Sequence, residues 1–242
     1  MSTSVAECRR ALDVAFLLDC SDADADQDAW NSTLNFTDAA VSRIHPRSGG
    51  THVALVLFDR DQTAVVVRKL DHQPLHVGLR NLSGTCSGPR DSSKSLLRTL
   101  RQSVFSNTEG DRPEVADILL VVVGRAAADV DGVEAAAASL IADGIRVVSV
   151  ALGTSERVLH QLLRLTSSDD DAQKRLVVAR AEHYRVLLPT LTDVLCRSLD
   201  TGQWLVIRVN VIVVKGKVFP YSLPSVGPGA DPGVQAVSPQ VT

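Results

Sequence analysis

Aromatic residues make up only 4% of this 242-residue chain, and methionine occurs once. A core built from it must be assembled from Val, Leu, Ile and Ala, side chains that suit a sheet covered by helices. No apolar run approaches the ~20 residues of a membrane-spanning helix. Neither sign of charge dominates: 25 Lys and Arg stand against 28 Asp and Glu, a net of −3. The chain therefore has no general electrostatic attraction to nucleic acid or to an anionic membrane. Also missing are a Gly-x-Gly-x-x-Gly turn after the first strand, a Gly-Lys-Ser/Thr phosphate loop and a Gly-x-Ser-x-Gly elbow. There are four cysteines but no Cys-x-x-Cys, which disfavours zinc. The histidines are scattered, with His52 opening a strand, His72 and His76 in a connection and His160 on a helix. Without a convergent nucleophile and base, the reading is a non-enzyme.

What is present is a rhythm of apolar strands and amphipathic helices. The run Leu12–Leu18 is apolar apart from Asp13 and is closed by Asp19-Cys20-Ser21. Such a run before a helix reads as a central parallel strand, whose carboxyl end is where open α/β sheets bind ligands. A helix is predicted over Asp28–Ile44, with Trp30, Leu34, Val41 and Ile44 on one face. His52–Phe58 and Thr63–Leu70, joined by four polar residues, read as a hairpin. A short helix is expected near Leu75–Leu82, and another from an Asp91 or Ser92 cap to Ser106 with Leu96, Leu97, Leu100 and Val104 inward. Strands follow at Ile118–Val123, Ile145–Leu152 and Arg175–Ala179, with helices at Asp131–Asp143, Ser155–Leu165 and Tyr184–Leu199; Pro189 either belongs in the first turn of the last or marks a late start of it. This alternation predicts an α/β fold, a doubly wound, mostly parallel six-stranded sheet with one antiparallel edge strand. Residues 1–10 read as an extension, 11–199 as the domain, and 200–242 as a second extension, β-prone over 204–214 and then Pro/Gly-rich linker.

Four segments carry a resemblance. They are Leu12–Asp19, Thr51–Phe58, Gly110-Asp111-Arg112-Pro113 and Gly144–Gly153. In this order the chain resembles a von Willebrand factor type A domain, of the kind found in collagen VI and matrilins, over about residues 8–199. The resemblance implies a Rossmann-like fold and a metal-ion-dependent adhesion site built from Asp-x-Ser-x-Ser, a Thr in a second loop and an Asp after the fourth strand. Asp19, Ser21 and Thr85 match three of these positions. Ala23 stands where the second Ser is expected, Gly124 where the Asp is expected, and Arg125 brings a positive charge. Losing a hydroxyl and a carboxylate weakens an oxygen site for Mg²⁺ severely, so the expectation is a degenerate site, no cofactor, and at most weak Mg²⁺ or Ca²⁺. The rival is a rearranged site using Asp22, Asp24, Asp26 or Asp129. The run Asp22–Asp28 fails as a Ca²⁺ loop because Gln27 and Thr33 replace the required Gly and Glu. It reads instead as an acidic loop at a helix N-terminus.

The resemblance also implies a disulfide between the domain ends, Cys8–Cys196. Cys20 and Cys86 adjoin residues matching metal ligands in loops that converge at one rim, where they form either a second bridge or two buried thiols. Asn31, Asn35 and Asn81 open glycosylation sequons. Sequons and cysteines favour an extracellular chain; no leader peptide is visible, so the expectation is a portion of a longer secreted protein. The function expected is a non-enzymatic adhesion module for extracellular-matrix or cell-surface proteins, collagen among them, with no nucleic acid and no membrane span. The alternatives are a cation-dependent adhesion domain and a structural spacer in a tandem array. Candidate surfaces are the rim loops and a basic helix face carrying Lys94, Arg98 and Arg101.

Overall fold

The computed structural model describes residues 11–21, 23, 26–44, 50–59, 64–71, 82, 95–124, 131–153, 162, 176–179, 184–185, 188–197, 209–214 and 217–222. Its centre is β1, Leu12–Asp19, in which every residue is buried. Burial on both faces requires helices on both sides, and alternation sorts the strand. Leu12, Val14, Phe16 and Leu18 join one core with Trp30, Phe36, Val41, Ile44, Leu191 and Leu195. Ala15 and Leu17 join the other, with Leu96, Leu100, Val133 and Leu140. The first layer is made by α1 (Gln27–Ile44) and α4 (Leu188–Arg197). The second is made by α2 (Leu96–Ser103) and α3 (Asp131–Ala142).

The strands are β2 (Thr51–Phe58), β3 (Ala64–Asp71), β4 (Ala116–Val123), β5 (Arg146–Leu152) and β6 (Leu176–Ala179). They assemble in the order β3-β2-β1-β4-β5-β6. Five are parallel, and β3 runs antiparallel to β2 at the edge, the doubly wound arrangement expected from the sequence. Irregular register between β2 and β3 blunts that edge. The chain leaves β1 toward opposite sides of the sheet, so the carboxyl ends of β1 and β4 form the switch point where such folds bind ligands.

Several boundaries move from the sequence expectation. The expected cap at Asp91 or Ser92 is replaced by Ser95, whose hydroxyl accepts from Arg98 N at 3.4 Å. The same helix stops at Ser103 rather than Ser106, where Val104 turns into the core. The last helix begins at Leu188, because Pro189 is tolerated only in a first turn. On α1 the buried stripe includes Thr33, Phe36 and Thr37 besides Trp30, Val41 and Ile44; Leu34 is only partly buried. Their hydroxyls allow the threonines to enter the core, since Thr33 bonds Ala29 O and Thr37 bonds Thr33 O. The helices expected near Leu75–Leu82 and over Ser155–Leu165 lie outside the described residues, apart from Leu82 and Leu162. In the C-terminal extension, β7 (Val209–Val214) pairs antiparallel with β8 (Lys217–Ser222) as a separate two-stranded sheet. The segment from Pro220, read as linker, is thus partly strand: Pro220 sits opposite Val211 in the hairpin.

Gly110 ends a short 3-10 turn, Asn107–Glu109, with φ 100°. A Cβ there would collide with the Leu70 carbonyl. Gly110→Ala is expected to cost about 2–3 kcal/mol, from the left-handed conformation together with the collision. Urea unfolding measures it, and a loss below about 0.5 kcal/mol would contradict this packing.

Candidate functional site

At the carboxyl rim, β1 delivers Asp19, 8% exposed. Its Oδ1 accepts from Ser21 N at 2.9 Å, which folds the chain into a tight turn. Cys20 continues the ladder by donating its N–H to Phe58 O at 3.0 Å. Its sulfur lies 3.2 Å from the same carbonyl. Cys20 is disulfide-bonded, and no described cysteine is free; the partner sulfur lies outside the described residues. Ala23 donates to Cys20 O at 3.1 Å and is 4% exposed, packed into the same core as Cys20 and Trp30. Asp26 caps α1, accepting from Ala29 N at 2.9 Å, so this acid serves the helix N-terminus. The Trp30 indole donates to Leu82 O at 3.3 Å. Across the switch point, Gly124 ends β4 beside α1. A Cβ built there would stand 3.0 Å from Thr33 Oγ1, tighter than ordinary packing allows.

Among the adhesion-site positions that are described, the rim therefore offers one carboxylate and one hydroxyl, from Asp19 and Ser21. Ala23 faces the core and Gly124 has no side chain. Thr85, Arg125, Asp22, Asp24 and Asp129 lie outside the described residues, as do Cys8, Cys86, Asn81 and Lys94 and the side chain of Cys196. Asn31 and Asn35 are both exposed on α1, and Gln27 Nε2 donates to Asn31 Oδ1 at 3.2 Å. The basic helix face is committed in part. Arg101 bonds Asp143 at 2.6 Å and reaches the Ser139 hydroxyl at 3.1 Å, so it joins α2 to α3.

The opposite, amino edge of the sheet holds a cluster that the motif search did not assign to any site. Asp13 registers with His52 on one side and with Asp117 on the other, so three ionisable residues share one rung. Asp13 is fully buried. Arg112 meets it with a backbone N–H at 2.9 Å, Nε at 3.0 Å and a terminal nitrogen at 2.5 Å. The same guanidinium donates to Leu12 O and Gly50 O. Oxygens of Asp13, Asp111 and Asp117 all lie within 4.8 Å of one another, the one such convergent acidic group among the described residues. Burial, then the neighbouring Asp111, push the Asp117 carboxyl up to about 7, against the pull of Arg112. Burial also lowers the Arg146 guanidinium from its usual range. The sequence signal for this cluster was a charge, Asp13, inside an otherwise apolar strand, because a buried carboxylate needs a partner.

The profile of the von Willebrand factor type A domain matches residues 13–190. Von Willebrand factor of Rattus norvegicus is 25% identical over 122 residues, 49% of this chain and 27% of that protein. Among solved structures, proximal thread matrix protein 1 from the mussel byssus, with a zinc-occupied MIDAS motif, superposes with a TM-score of 0.58 at 18% identity. That comparison covers 78% of this chain and 47% of the mussel chain. A second crystal form gives the same TM-score over 49% of its chain. The chain thus spans about a quarter of the curated relative and about half of these solved chains.

Proposed function

The chain belongs to the von Willebrand factor type A domain family, and from that premise we propose that it is a non-enzymatic adhesion module whose binding does not use a cation. Residues 11–199 form the module and 200–242 a distinct extension. It is of the extracellular-matrix kind, similar to the domains of collagen VI and matrilins, and its partners are matrix or cell-surface proteins, collagen among them. The relatives support an extracellular setting, since one is von Willebrand factor and another a byssus matrix protein. Glycans at Asn31 and Asn35, with a third at Asn81, fit that setting. Cys8–Cys196 closes the domain ends, and Cys20–Cys86 closes the rim.

The observation that carries cation independence is the packing at the switch point. Ala23, at the second hydroxyl position, is a core residue, and Gly124, at the carboxylate position, has Thr33 Oγ1 where a Cβ would need room. Among the described residues too few oxygens and too little charge remain for Mg²⁺, which asks for near-octahedral oxygen coordination and carboxylate charge. Isothermal titration of the full chain with Mg²⁺, Mn²⁺ and Ca²⁺ is expected to show no binding at micromolar metal. Adhesion to a collagen-coated surface is expected to be equal in EDTA and in Mg²⁺. Micromolar binding lost in Asp19→Ala, or adhesion abolished by EDTA, would restore the cation-dependent reading.

A further inference from the structure

The strongest unassigned feature is the amino-edge cluster, at the far end of the sheet from the adhesion rim and independent of what that rim binds. Its charges do not balance. Arg112 is committed to Asp13, its Nε reaching both carboxylate oxygens and a terminal nitrogen reaching Oδ1, which neutralises one carboxylate. Asp111 and Asp117 remain, and their side chains are within hydrogen-bonding reach of each other. One oxygen of each, Asp111 Oδ1 and Asp117 Oδ1, is buried and meets no donor among the described residues. Two facing acceptors without a donor are costly when buried. A single proton held between them satisfies both, as in other carboxyl pairs too close for both members to ionise.

We propose that Asp111 and Asp117 share one proton, and that this proton is a pH-operated latch holding the loop 107–115 onto the start of β4. The loop is the natural element to move. It carries the 3-10 turn and Gly110, and it is pinned by Arg112 on Asp13 and by an ion pair from Lys69 to Glu109. The groups facing Asp117 are Asp111 and Arg112 from the loop and Asp13 from β1. His52 on β2 lies beyond Asp13, its Nδ1 3.8 Å from the Asp13 carboxylate and 3.2 Å from Gly110 O. On the β5 side, Arg146 registers with Ile118 and so points to the other face of the sheet. No second cation on the Asp117 face takes the place of the proton among the described residues.

The sign follows from linkage. Asp117 titrates near 7 in the fold, against 3.8 for a free carboxyl. Between these values the folded chain holds a proton that the unfolded chain has released. Stability is then greatest in acid and falls as pH rises through the folded value. Above neutrality the proton on Asp117 is lost beside Asp111 and Asp13, and the loop loosens.

Thermal unfolding of the full chain and of Asp117→Asn from pH 5 to 9 tests this. Wild type is expected to lose roughly 3–6 °C in Tm between pH 6 and 8.5, the linkage of one proton released over that interval in a domain of this size. Asp117→Asn, which supplies an amide donor in place of the proton, is expected to be flat over that interval and more stable than wild type at pH 8.5. If Asp117→Asn folds poorly, Asp111→Asn gives the same flattening, and the carbon resonance of the Asp117 carboxyl in wild type inflects near neutrality. An unchanged downward slope in both variants, or an inflection near 4, overturns the latch. So does a Tm rise with millimolar Ca²⁺ at pH 8 that Asp117→Asn abolishes, because the trio would then be a cation site.

Discussion

Arg112→Met is expected to destabilise the domain by about 3–5 kcal/mol, the range for removing one partner of a buried ion pair. The partner left behind is decisive. Asp13 is wholly buried within β1 and, among the described residues, keeps as hydrogen-bond donor the backbone N–H of residue 112, at 2.9 Å. The change also strips donors from the carbonyls of Leu12 and Gly50, which sit where the chain enters β1 and β2. Methionine keeps much of the stem's apolar length, so the loss measures the guanidinium rather than a cavity. Lysine does not substitute, because a point charge cannot serve two carboxylate oxygens and two carbonyls at once. The double variant Asp13→Leu with Arg112→Met should recover most of the loss, since the penalty lies in the unpaired charge and not in a missing attraction. Urea unfolding of the three variants decides it. A single-variant loss below about 1 kcal/mol would show that solvent reaches Asp13 through the partly exposed Arg112 and already pays the carboxylate's hydration.

How much of this was visible beforehand follows from the kind of signal each feature leaves. β1, β2 and β5 were legible because doubly buried strands read as near-continuous apolar runs, and their order fixed the doubly wound sheet. The rim was legible by resemblance, through Asp19 and Ser21 and equally through Ala23 and Gly124 as departures. That Thr33 fills the space beside Gly124 was not legible, because Thr33 reads as a polar helix residue until its hydroxyl is seen bonding Ala29 O. The α2 cap was misplaced because Asp91, Ser92 and Ser95 are equally good capping residues; only the burial of Leu96 selects among them. The amino-edge cluster needed the register. Asp13, His52 and Asp117 are far apart in sequence, and only the parallel pairing of β2, β1 and β4 puts them on one rung.

Cys20→Ser and Cys86→Ser are each expected to lower stability by roughly 4 kcal/mol, the chain-entropy value for opening a loop of about 65 residues. Reach excludes Cys8 as the partner of Cys20, and the pairing that the family resemblance implies then leaves Cys86. β1 is eight residues long, so Cys20 lies about 26 Å from Leu12 at ~3.3 Å per residue. Cys8 is four residues before Leu12 and can span at most about 14 Å. It therefore stays some 12 Å or more from Cys20, beyond the ~4–7 Å between Cα atoms that a disulfide requires. Leu82 is packed in the same core as Cys20 and Ala23, with its carbonyl on the Trp30 indole. Cys86 follows Leu82 by four residues in the sequence, a stretch of chain that reaches at most about 14 Å. Cys196 belongs to the last turn of α4 and is left for Cys8 in the pairing that the family resemblance implies. If Cys20 and Cys86 are joined, the double variant loses no more than either single variant, since the second thiol has no further bond to give up. A non-reduced digest linking Cys20 to Cys8 or Cys196, or additive losses in the double variant, would remove the rim bridge. A covalent tie between these loops gives the adhesion rim a different control from a cation: binding should resist EDTA and weaken in dithiothreitol. That weakening should be reproduced by Cys86→Ser without any reductant, because the thiol chemistry and the loop position are one cause.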